Sequence, residues 1–76
     1  MRLTIDRGEI IHHAGFHRLS PAVREGAPLL VGAGDQAGRC GWEAFFRAMD
    51  RRGLAAELGE DGTARFVGPG GGQGTA

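Results

Sequence analysis

Only one stretch of this chain is apolar and periodic enough to dictate a structure by itself. Trp42, Phe45, Phe46 and Met49 fall at i, i+3, i+4 and i+7, with Glu43, Arg47, Asp50 and Arg51 on the opposite side, the pattern of an amphipathic helix. Gly53 follows as a helix-ending residue, Arg51 and Arg52 sit at the negative end of the helix dipole, and Glu43 precedes Arg47 by one turn. One such helix needs one apolar surface to cover it. That requirement selects an α+β fold class: a small two-layer domain, its main helix packed on a mainly antiparallel sheet of about four to five short strands.

The strands are sought on either side of the helix. Leu3 and Ile5 alternate with Arg2 and Thr4, and a turn around Gly8 leads into Glu9, Ile10, Ile11, His12 and His13; together these predict a first hairpin. Residues 14–19 are ambiguous, because Gly15 interrupts the run while Phe16 and Leu19 stand at helical spacing. Ser20 and Pro21 have the form of a helix start, which Gly26 and Pro28 limit to one or two turns. Leu29, Leu30 and Val31 make a short apolar run that predicts a buried strand before a glycine-rich loop over residues 32–41. Beyond the helix, Leu54, Ala56 and Leu58 alternate with Ala55 and Glu57, and a turn at Gly62 leads to Ala64 and Phe66, a second hairpin.

Composition bounds what this fold can do. With 76 residues the chain is one small domain, and a chain of this size buries only about 60% of its unfolded surface. Residues 1–67 are expected to form that domain. Residues 68–76 contain five glycines and no large apolar group, and predict a disordered tail. No apolar run approaches the roughly 18–20 residues of a membrane helix, and the start MRLTIDRGE lacks the apolar core of a secretory signal, so a soluble, cytoplasmic protein is expected. The lone Cys40 cannot form an internal disulfide, which fits a reducing compartment. Nine basic and nine acidic side chains leave no net charge, and every cation is arginine. With lysine absent and glycine at 15, this reads as GC-rich coding of the kind found in some bacteria, which weakens arginine as a sign of phosphate recognition.

Several constellations invite a chemical reading. His12, His13 and His17 crowd one segment, and His13 and His17 are four apart, which is ligand spacing on a helix. With Cys40 they would make a three-ligand zinc set, the one ion expected if any cofactor is bound at all. Against it, a strand through residues 9–13 would point His12 and His13 to opposite faces. Cys40 at the helix start, beside Arg39, would favour its thiolate, yet a catalytic thiol needs a base brought in by tertiary contact. In the loop, Gly32, Gly34 and Ala37 fit a permissive dinucleotide fingerprint, but the helix begins only at Trp42, too late to present its N-terminus to a pyrophosphate.

Two surfaces remain. Arg2, Arg7, Arg18 and Arg24 outnumber Asp6 and Glu9 in residues 1–24, and would contact DNA or RNA if the domain is a small regulator; the neutral total argues against strong non-specific binding. Trp42, at the helix end beside the loop, would either belong to the core or anchor a partner chain, with Arg39, Asp35 and Gln36 as polar contacts. The leading expectation is a small binding or regulatory domain that associates with itself or a protein partner and has no catalytic activity. Nucleic-acid binding and a His13, His17, Cys40 metal site are the alternatives.

Overall fold

A computed structural model of the chain describes residues 2–68; Met1 and the expected tail beyond Gly68 lie outside the described residues. The element order is β1 (Arg2–Thr4), α1 (Arg7–Phe16), β2 (Ser20–Arg24), β3 (Ala27–Val31), α2 (Trp42–Arg52), β4 (Ala55–Leu58) and β5 (Ala64–Val67). The α+β class holds, with two helices and with the strands divided between two antiparallel sheets, β1-β4-β5 and β2-β3.

α2 forms where the apolar period places it. Phe45, Phe46, Ala48 and Met49 are buried, and Trp42 lies edge-on to Phe45 at 5.1 Å and stacked on Phe46 at 5.5 Å between ring centres. The opposite side carries the Glu43–Arg47 pair, 3.9 Å apart and exposed. Gly53 ends the helix in the left-handed region, φ 62°; its N–H donates to the Asp50 carbonyl and the Leu54 N–H reaches back to Met49, the two bonds of a Schellman motif.

The first hairpin is not formed. Residues 7–16 are helix, and the turn glycine, Gly8, lies inside its first turn. Asp6 is the N-cap, its carboxylate accepting from the Glu9 N–H at 3.2 Å, and Glu9 three residues on completes the sequence form of a capping box. Ile10 and Ala14, one turn apart, are fully buried. The C-terminus repeats the motif of α2 with a different residue: Arg18 N–H donates to Gly15 and Leu19 N–H to Ala14, while Arg18 itself takes φ 58°. An L-residue there costs roughly 1–2 kcal/mol that glycine does not.

Nor is there a helix at Ser20 and Pro21, which open β2. β2 and β3 are joined by Glu25 and Gly26, both at positive φ, 53° and 79°, the geometry of a type I′ hairpin turn. Leu29, Leu30 and Val31 do lie in a strand, β3, and the second hairpin forms as read, with Ala56 opposite Phe66 and Leu58 opposite Ala64. β1 adds to the free side of β4, Thr4 facing Ala56 and Leu3 facing Glu57. The alternation therefore sends Ala56 and Leu58 inward, while Leu3, Glu57 and Arg65 share the outer face. Ile10, Phe45, Phe46, Met49, Ala56 and Leu58 form one core, so the two helices and the three-stranded sheet are closed around a single apolar cluster.

Candidate functional site

Once the core is accounted for, the exposed apolar residues fall in one stretch of the sequence. Among the described residues the large exposed hydrophobics are Leu3, Ile5, Ile11 and Phe16, all within the β1–α1 unit. Phe16, at 74% exposure, stands at an open cleft of about 620 Å³ between α1 and the end of β4. Helix periodicity builds its wall: Glu9, His13 and His17 are spaced at four residues, and His12 and Phe16 form a second row beside them. Leu58, Gly59 and Glu60 line the other side, with Arg2 at one end. A volume of several hundred Å³ is the size in which ligand sites are usually found.

The histidines are held by aromatic contact and by close backbone. His13 and His17 are tilted against each other with ring centres 4.7 Å apart, and the Phe16 ring meets His17 edge-on at 5.0 Å. His17 also packs over the β4–β5 turn: a Cβ added to Gly62 would lie 3.1 Å from His17 Nδ1. Gly62, at φ 96°, is thus required twice, for the turn and for the ring. That turn is tied by Asp61, whose carboxylate accepts from the Thr63 N–H at 3.1 Å and its hydroxyl at 2.8 Å. Those two bonds, with the nearby His17, hold the Asp61 carboxyl below the usual carboxylate range. His13 Nε2 is shielded from solvent and has no hydrogen-bond partner among the described residues, a condition that costs about 1–3 kcal/mol when nothing satisfies it.

The metal set read from the sequence is assembled only in part. His13 and His17 come together because residues 7–16 are helical. Cys40 does not join them: it is half-buried against the core, its N–H donating to the Pro21 carbonyl at 3.1 Å. Among the described residues no group of three or more His, Cys, Asp or Glu is placed to hold a metal ion.

The loop over residues 32–41 is fastened to β2. Val23 N–H donates to Gly38 at 2.9 Å, Arg24 Nε donates to the Ala37 carbonyl at 3.0 Å, and Arg39 bridges to Ala22. Gly38, at φ 75°, lies so close that a Cβ would stand 2.6 Å from the Val23 carbonyl oxygen. The polar candidates are largely consumed by this docking. Asp35 pairs with Arg24 at 2.7 Å, and that contact, with the Ala37 N–H, lowers its pKa; Arg39 Nη2 donates to the Ser20 hydroxyl at 2.7 Å. Gln36 is exposed, and its carbonyl accepts from the Arg39 N–H. Trp42, half-buried, lies with the core aromatics.

The four arginines do not form a shared basic surface. Arg2 is paired with Glu9, Arg24 with Asp35, and Arg7 with Asp50 at 3.2 Å while its guanidinium lies 4.9 Å from the centre of the Phe46 ring. Arg18, exposed, has no ion-pair partner among the described residues. Comparison with protein-family models, curated proteins and solved structures returns no match to this chain. No helix of the described residues is long and apolar enough to cross a membrane.

Proposed function

We propose that this domain works by association, and that its contact surface is the cleft beside α1 rather than the aromatic face of α2. The observation that carries this reading is Phe16, a large aromatic side chain left 74% exposed at a cleft of about 620 Å³. A phenyl ring in that position is available as an anchor in a complex. The partner that fits best is a second copy of the chain. A two-fold contact requires one patch to carry both the inserting group and the socket, and here Phe16 stands beside a cavity large enough to receive its symmetry mate. The neutral chain adds no net repulsion between copies.

The test is the mass of the full chain by light scattering from micromolar to millimolar concentration. The expected result is a reversible dimer, lost in Phe16→Ser with the circular dichroism of the monomer unchanged. A wild-type chain that stays monomeric throughout, or a Phe16→Ser variant that dimerises as well as wild type, overturns the reading.

A further inference from the structure

His13 and His17 line the same cleft, and their chemistry goes beyond packing against a partner. We infer that the pair chelates an imidazole-preferring divalent transition metal, Cu²⁺ most tightly, through one face of α1. The two rings are adjacent because they are four residues apart on the helix, with centres 4.7 Å apart. Metal–nitrogen bonds of about 2.0–2.1 Å, about 90° to 110° apart, set two imidazole centres roughly 4.5–5.2 Å from each other. The observed separation falls inside that window, the spacing that one ion held between the two rings requires. His13 Nε2 is also the shielded nitrogen without a hydrogen-bond partner among the described residues, and a bound cation supplies what it lacks.

The surroundings set the class of ion. Two imidazoles with no third ligand among the described residues do not build the closed four-ligand shell of structural zinc. A two-imidazole site leaves the other positions to water, an arrangement that suits a labile site in which affinity follows the Irving–Williams order and peaks at Cu²⁺. Glu9 continues the same helical row, but Arg2 holds its carboxylate. Gly62, lacking a Cβ, leaves room for the His17 ring over the β4–β5 turn. His12, on the neighbouring row and stacked on Phe16 at 6.3 Å, is outside the pair and serves as the internal control.

The experiment is a calorimetric titration of the full chain with Cu²⁺, with electron paramagnetic resonance of the complex. One equivalent is expected to bind with nitrogen hyperfine structure from two imidazoles. His13→Ala and His17→Ala should each weaken binding by tenfold or more, and His12→Ala should leave it unchanged. Should either alanine variant fail to fold, His13→Gln and His17→Gln replace it and must show the same loss. Equal affinity in the His13 and His17 variants, or an equal loss in His12→Ala, overturns the site. Titrating Phe16→Ser, which the association reading makes monomeric, separates the two claims: retained binding places the site within one chain, and binding confined to a dimer overturns the single-chain chelate.

Discussion

The two helices of this domain are nearly equal in length and are stopped by the same C-terminal motif, yet they use their side chains in opposite ways. α2 turns every large apolar residue toward the core and leaves charge outside. α1 buries only Ile10 and Ala14 and carries Phe16, Ile11, His12 and His13 on its remaining surface, with His17 at its C-cap. A helix that satisfies its own apolar face is a structural element. One that is held by two buried residues and a cap, while displaying aromatic and titratable groups to a cleft, is the helix on which the proposed association rests.

Breaking each helix at its aromatic residue should show the largest contrast. Phe45 is fully buried, and Phe45→Ala is expected to cost about 3–5 kcal/mol, seen as a large fall in the denaturant midpoint. Phe16→Ala should change monomer stability by no more than about 0.5 kcal/mol; a cost comparable to Phe45→Ala would place Phe16 in the core. Next in size is the cap. Asp6→Ala removes the carboxylate that accepts from Glu9 and should lower stability by about 1 kcal/mol, read by urea unfolding, whereas no change would mean that Ile10 and Ala14 alone hold α1.

The smallest effect sharpens the comparison of the two C-termini. Gly53 occupies the left-handed position of α2 without penalty, and Arg18 occupies the same position of α1 at φ 58°. Arg18→Gly relieves that strain and, against the entropy glycine adds to the unfolded chain, should stabilise by about 0.5–1 kcal/mol. Loss of stability would show that the Arg18 side chain contributes more than its backbone costs.

The same contrast explains what was legible in the sequence. α2 was readable because its period is unbroken and its core is local to one helix face, and the β4–β5 hairpin because alternation survives through Ala56 and Leu58. α1 was misread for physical reasons. Ile10 and Ile11 favour a strand locally, Gly8 and Gly15 weaken a helix, and two buried residues leave almost no periodicity to detect; the signal that was present is the Asp6-to-Glu9 capping box. Pairing His13 with His17 depended on that helix, so the site was hidden by the same misreading. The fastening of residues 32–41 to β2 rests on backbone bonds from Val23 and Pro21, and nothing in the composition of a glycine-rich loop announces such partners. Trp42 stands at the helix end, and its ring meets Phe45 and Phe46 on its own helix.

The central claim is that α1, and not α2, faces the partner. A dilution series of ¹⁵N–¹H correlation spectra on the full chain tests it residue by residue. Amides of residues 9–17 and 58–60 should shift with concentration in a single two-state manner while those of α2 stay fixed. Shifts centred on residues 42–52, or none up to millimolar protein, would contradict the account.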